Sequence, residues 1–368
     1  MASTLGSEQL GRLRLAALGA HLKRTRPGDD RVVAEVVTAS GAHVMTASRH
    51  VVALVEQPTR RSFGGPLTWA LRGAAGSLEL VVGFGPGAVD EDEVAGHLAR
   101  LATGFGIETA VLRRLGAAAT LESLEPVAPA PLPLRGVLAE SEPADPTIES
   151  AVASVRAAGF DVEWIDEWGV RRVELRGLEV ARVVRGARGP TGTAPHAQRL
   201  EVGVGRVDRE IASMAVGTRP DEEVLVRAVE LVDRVRRPGA PPHPLRDLVP
   251  ARWLRATLLG DPTVVGATDL SPIGTTVRFD GLREIQPAAA AGTALDGAPL
   301  VVVCTAGVDL DVVPLALDTA ASFDQAGGHH APATLVICGP SRSLLDATRI
   351  VAAAADRPIR FEALELPY

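Results

Sequence analysis

The sequence predicts an α/β protein of several modules, and three observations carry that prediction. Short Val- and Leu-rich runs recur along the chain, separated by glycine and proline. Between them lie segments with apolar residues at helical spacing and with acids or proline at their starts. Proline also clusters where the pattern breaks, with six prolines in the run PVAPAPLPLRGVLAESEPADP of residues 126–146.

Taken in order, Ser7 to Thr25 reads as a helix, with Leu10, Leu13, Ala17 and Leu18 at helical spacing and Arg26-Pro27-Gly28-Asp29 as its stop. Strands are expected at Val32–Thr38, His43–Thr46, Val51–Glu56, Leu78–Val82, Ile107–Arg113 and Thr120–Leu124. Helices are expected around Pro66–Arg72 and Asp90–Thr103. Past the proline run, Asp145 can cap a helix with Pro146 at its first position and Gly159 beyond its end. Strands follow at Asp161–Asp166, at Val170–Val184 (split near Gly177) and at Arg199–Val204. The helix Asp221–Arg237 has acids in its first turn and arginines in its last, which suits the macrodipole. A shorter helix at Ala251–Leu259 carries Trp253 as a packing anchor.

The Ala-rich stretch within Ser271–Pro299 reads as loop. The C-terminal part then alternates strand and helix: Leu300–Cys304, Val312–Phe323, Thr334–Cys338, Ser343–Ala355 and Ile359–Leu364. Continuous apolar strands alternating with helices imply a parallel, Rossmann-like sheet. Mixed sheets are expected in the N-terminal and middle regions. The expected division is therefore an α/β module at 1–125, a linker at 126–144, a second module at 145–260, a linker at 261–298 and a βαβαβ module at 299–368.

Composition excludes more than it assigns. Lysine and arginine total 38, and Lys23 is the only lysine. Arginine keeps its charge, so Schiff-base chemistry and a lysine phosphate loop are both excluded. The net charge is −7, yet residues 151–260 hold 18 basic and 15 acidic groups, a surplus of three. That segment alone has the balance that a phosphate-backbone partner prefers. Two cysteines give neither a disulfide framework nor a metal cluster. The apolar stretch Gly297 to Val308 is too short to span a bilayer. Charges at Glu8, Arg12 and Arg14 interrupt any leader-like core. The expectation is a soluble cytoplasmic protein with no membrane partner.

The middle region offers the most chemistry. Its order is helix, strands, helix, with Glu174 in VELRG, Glu179 in GLEVARV and Glu201 in RLEVGVG. Over Asp145 to Arg237 this resembles the restriction-endonuclease-like PD-(D/E)XK superfamily. The resemblance implies a divalent metal such as Mg²⁺ held by Glu201 and by Glu179 or Glu174. The lysine of that motif is absent, because Gly203 stands in its place. It thus implies a degenerate, non-catalytic domain associated with nucleic acid through Arg171, Arg172, Arg176 and Arg206, or else a metal-dependent nuclease. The structural alternative is that these glutamates alternate outward on half-buried strands. The phrases GLEVARV, LEVGVG and VVVCTAGVDLD also resemble a family of actinobacterial cytoplasmic proteins, a likeness that implies shared architecture and supplies no activity.

The second functional expectation is a binding or scaffold protein that uses the C-terminal parallel sheet to sense a small anionic ligand. Ligands of open parallel sheets bind beyond the carboxyl ends of the strands. Those ends carry Asp309, Asp311, Gly339, Ser341 and Arg342. Capping and turn chemistry is the plain alternative for the same residues. The turn VVGFGPG of residues 81–87 is expected to be structural, because Asp90-Glu91-Asp92-Glu93 would repel a phosphate. Trp164 and Trp168 are either an aromatic platform for bases or hairpin packing. His196, His243 and the pair His329-His330 have no partner at metal-ligand spacing.

Overall fold

The computed structural model describes residues 6–29, 31–85, 87–114, 121–138, 142–185, 198–205, 209, 221–279, 281–282, 284–328 and 331–367. The chain is mixed α/β and divides into two compact units. One unit comprises Met1–Leu132, Leu310–Asp318 and Leu345–Ile359; the other comprises Pro133–Asp309, Thr319–Leu344 and Arg360–Tyr368. Among the described residues no helix is long and apolar enough to cross a membrane.

The first unit is organised on a six-stranded sheet, β1 (Val32–Thr38), β2 (Gly41–Thr46), β3 (His50–Glu56), β4 (Ser77–Gly83), β5 (Glu108–Arg114) and β6 (Leu124–Pro126), in sequence order. Strands β3, β4 and β5 run parallel, and the remaining neighbours are antiparallel. Of the strand expected at Thr120–Leu124, Thr120 lies outside the described residues, and the observed strand starts at Leu124.

Helix α1 (Ser7–Thr25) packs Leu18 and Leu22 against Ala42, Val44, Val52, Leu54 and Val81. Its buried face is turned from the expected one: Leu13 is exposed, whereas Arg14 and His21 are buried. Those two are accommodated because each meets a carboxylate. Arg14 donates to Glu56 at 2.6 and 3.0 Å, and His21 Nε2 lies 2.5 Å from Glu79. Helix α2 (Gly64–Arg72) is capped by Asp311, whose carboxylate accepts from the backbone N–H groups of Phe63 and Gly64 at 3.1 and 2.6 Å. Helix α3 (Glu91–Ala102) carries Arg100, which is bonded to Asp318 at 2.7 and 3.0 Å.

In the second unit a short helix α4 (Leu134–Val137) precedes α5 (Pro146–Ala157). Asp145 caps α5 as expected, accepting from the Thr147 N–H at 2.9 Å. A four-stranded antiparallel sheet follows: β7 (Val162–Glu167), β8 (Val170–Leu175), β9 (Leu178–Arg185) and β10 (Gln198–Val202), ordered β10-β9-β8-β7. One face buries Val162, Val173, Leu175 and Leu200 against Ile148 and Val152 of α5 and Leu225 and Val229 of α6 (Asp221–Val235).

The second unit's other sheet is β11 (Ala267–Ile273), β12 (Ala288–Ala294), β13 (Pro299–Cys304), β14 (Thr334–Gly339) and β15 (Ile359–Ala363), in that order. β13 and β14 are parallel, while β11 and β12 add on antiparallel. The expected loop at the Ala-rich stretch is therefore corrected: Ala288–Ala294 is an inner strand. Alanine has little strand preference of its own, and pairing on both edges decides the outcome. Ala288 lies in the same buried cluster as Trp253, Leu254 and Leu258 of helix α7 (Pro250–Gly260), with Ala294 packed against it.

Both hairpins of the β7–β9 meander are two-residue turns with positive φ at each central residue, Trp168 (56°) with Gly169 (72°) and Arg176 (48°) with Gly177 (73°). Gly177 also touches α7, where a Cβ would stand 2.2 Å from the carbonyl carbon of Arg252. Gly177→Ala is expected to cost upwards of about 1 kcal/mol from backbone conformation alone, before the clash. Urea denaturation measures this, and an unchanged midpoint would contradict it.

Candidate anion-binding site

The second face of the β7–β10 sheet is charged, and it is buried. Strand alternation and register put Glu163, Ile165 and Glu167 of β7 on one face with Val170, Arg172 and Glu174 of β8. Arg182 of β9 pairs with Arg172 on one side and Glu201 on the other. Glu179 would fall on the opposite face from Arg182 in a regular strand. The register steps from Val173↔Ala181 to Glu174↔Glu179, leaving Val180 as an extra residue, and this bulge returns Glu179 to the charged face.

Helix α7 supplies the covering cations. Arg255 pairs with Glu167 and lies 3.0 Å from Glu174. Arg252 reaches Glu174 at 3.2 Å and Glu167 at 3.4 Å. On the other side Glu179 accepts from Arg182 at 2.7 Å and from Arg209 at 2.8 Å. Arg172 stands between the two groups, 3.4 Å from Glu167 and 3.8 Å from Glu179, and it is only 8% exposed. Its Nε has no hydrogen-bond partner.

Among the described residues these contacts form one chain of five arginines (172, 182, 209, 252, 255) and three glutamates (167, 174, 179), a surplus of two positive charges. Burial alone would raise the Glu167 carboxyl, but the Arg255, Arg252 and Arg172 guanidiniums overcome it and hold the group at about 2. Burial pulls Arg255 down, and Glu167 and Glu174 more than restore it, so its net displacement is upward. Arg209 is lowered by burial despite Glu179.

The network opens onto a cavity of about 330 Å³. Arg172, Arg182, Arg209, Arg252 and Arg278 line it, against Glu167, Glu179 and Glu201. The remainder of the wall is largely apolar: Trp168, Val170, Val277, Phe279, Leu282 and Pro287. Several of these come from the segment 274–288, which links β11 to β12.

The expected site residues fall in different places. Glu179 and Glu201 line the cavity and Glu174 sits behind it, and each is engaged by arginine, Glu201 by Arg199 at 2.6 Å. Among the described residues no group of three or more His, Cys, Asp or Glu side chains is placed to hold a metal ion. Arg171 and Arg172, adjacent on β8, point to opposite faces. Arg171 lies over the Trp164 ring at 4.7 Å and 3.3 Å from Glu149, on the helix-covered side. Arg176 sits in its turn, donating to the Arg236 carbonyl at 2.8 Å and paired with Asp233 at 2.9 Å. The three arginines expected on one face therefore do not share one. Arg206, His196, His329 and His330 lie outside the described residues.

Trp164 packs against α5, its indole N–H bonded to Glu149 at 3.0 Å, while Trp168 lines the cavity, so the two rings make no common platform. At the C-terminal sheet, Asp311 is the α2 cap described above. Asp309 is buried, and a Cβ at Gly339 would stand 2.4 Å from the Thr305 carbonyl oxygen. Ser341 N–H donates to Glu365 at 2.9 Å, Ser343 Oγ accepts from Gly307 N–H at 2.9 Å, and Arg342 is exposed.

Sequence reasoning missed Arg252, Arg255, Glu167 and the 274–288 segment. The available signal was Arg252-x-x-Arg255 within an otherwise apolar helix, two cations one turn apart with acids on the preceding strands. In comparisons with protein-family models, curated proteins and solved structures, nothing matches the chain.

Proposed function

We propose that the second unit binds a small anionic molecule in the cavity between the charged face of the β7–β10 sheet and the 274–288 segment. Arg172 carries the reading. A guanidinium that is nine-tenths buried, lines the cavity and stands 3.4 and 3.8 Å from carboxylates that other arginines already engage is short of acceptors. The surplus of two cations in the network asks for the same thing, since uncompensated buried charge is costly. Guanidinium forks also match phosphate and carboxylate oxygens better than any other side chain.

Association with nucleic acid draws its support from the charge balance of the middle region. The arrangement of its arginines favours a ligand small enough to enter a cavity. A metal nuclease would need Glu179 and Glu201 to exchange their arginine partners for Mg²⁺.

Calorimetric titration with inorganic phosphate and sulfate tests the proposal, with melting temperature as a second readout. Both anions are expected to bind and to raise the melting temperature, by about 2.7 kcal/mol of stabilisation at a hundredfold excess over Kd. Arg172→Gln and Arg182→Gln are each expected to weaken binding by roughly tenfold or more. The Arg182 side chain is 29% exposed, so that variant tests binding with little risk to folding. No binding by either anion at low salt would overturn the reading. Salt-sensitive binding of DNA or RNA with no response to phosphate would favour nucleic acid instead.

A further inference from the structure

We propose that the ligand of this cavity is a phosphomonoester with a flat apolar body, its phosphate at Arg172 and its body against Trp168. This rests on the anion-binding reading and goes further in charge, size and shape.

Charge points to a dianion. Among the described residues, the buried network sets five guanidiniums against three carboxylates, a surplus of two. A phosphomonoester carries about −1.5 to −2 at pH 7, whereas a carboxylate carries only one charge. Three acceptor oxygens can also serve several of the guanidiniums that line the cavity at once.

Size requires more than the phosphate. At about 30 Å³ for each water in the liquid, 330 Å³ corresponds to roughly ten non-hydrogen atoms. A bare phosphate has about half that number and would leave the apolar wall to water. An organic body would lie against the apolar lining that Val277 and Leu282 contribute.

Trp168 indicates the shape of that body. It occupies the first central position of a two-residue hairpin with φ of 56°, where glycine and asparagine are the easy residues. A bulky side chain held in this conformation stores strain, a pattern that clusters at ligand sites. The ring is also fixed from behind, because a Cβ at Gly136 would stand 2.6 Å from it. A flat ring stacked on a flat indole fills this wall at low entropic cost.

Titration of the full chain with inorganic phosphate, phenyl phosphate and benzoate tests the proposal. Phenyl phosphate is expected to bind at least tenfold tighter than either of the others. Trp168→Gly suits the backbone conformation of the turn, so folding should be undisturbed. It is expected to lower phenyl phosphate affinity about tenfold while leaving inorganic phosphate affinity unchanged. If inorganic phosphate binds but phenyl phosphate is no tighter, or if benzoate equals it, the phosphomonoester proposal fails and the anion site stands. If Trp168→Gly weakens both phosphates equally, the assignment of the body to Trp168 fails. If none of the three binds, both readings fail together.

Discussion

Arg255→Met is expected to destabilise the second unit by about 3–5 kcal/mol, the largest loss predicted for any single change in this chain. Arg255 is 1% exposed, and it touches both Glu167 and Glu174, which are 7% and 2% exposed. Removing it leaves Glu174 with Arg252 at 3.2 Å, and Glu167 with Arg252 and Arg172 each at 3.4 Å. The cost is the uncompensated charge more than the lost attraction. Three of the four tryptophans, Trp164, Trp168 and Trp253, belong to this unit, so fluorescence-detected urea unfolding reports chiefly on it. The partner substitution separates charge from packing. In the Arg255→Met background, Glu174→Gln is expected to cost less than it does alone, by about 0.5–3 kcal/mol of coupling. Strict additivity of the two changes would show that Arg255 serves only as a spacer. The network should also resist acid down to low pH. Glu167 is held at about 2 against 4.5 when unfolded, so its stabilising contribution is complete above that unfolded value and is lost progressively as pH falls from about 4.5 to about 2.

Much of the fold is written locally. Helix α5 has its Asp145 cap and Pro146 start, the β8–β9 turn has Gly177, and the apolar runs of β13 and β14 are continuous because both faces are covered. Where reading failed, partners distant in sequence had decided the outcome. Ala288–Ala294 has no strand signal of its own and becomes a strand because β11 and β13 pair with it. On α1, leucine spacing pointed to one face, yet Arg14 and His21 are buried because Glu56 and Glu79 await them, 42 and 58 residues further on.

The candidate site shows the same division. Glu174, Glu179, Glu201 and Arg172 were legible as charges alternating along strands, and alternation ordinarily means exposure. The sequence gives no local sign that α7 covers that face, or that a bulge at Val180 turns Glu179 towards Arg182. Charged alternation signals an outward face only when nothing charged arrives to cover it. Here the covering helix brings Arg252 and Arg255, and the face becomes an interior.

The first unit is expected to lose stability steeply between about pH 6.5 and pH 4, with His43 and His97 responsible. Burial holds both imidazoles near 4, against 6.5 when unfolded. His97 keeps its neutral form through its contacts. Its Nε2–H donates to the Arg60 carbonyl at 3.2 Å, and Nδ1 accepts from Arg100 at 2.7 Å; Asp318, 3.9 Å from Nδ1, favours a proton there, but burial together with Arg100 and Arg60 outweighs it. His43 lies edge-on to Trp69 at 5.5 Å, with no acceptor at Nδ1 for an added proton. In this window the unfolded chain binds more protons than the folded one, so stability rises with pH and falls as acid is added. Each histidine contributes about 3 kcal/mol of lost stability by pH 4, after which its penalty stops growing. Trp69 is the tryptophan of this unit and sits against His43, so its emission during urea unfolding at pH 7, 5 and 4 reads the change where it arises. His97→Gln should remove roughly half of the slope, whereas Arg182→Gln, in the other unit, should leave it unchanged. A midpoint that stayed flat from pH 7 to pH 4 would mean that both imidazoles find compensation on protonation, against the cationic surroundings of His97 and the orphaned Nδ1 of His43.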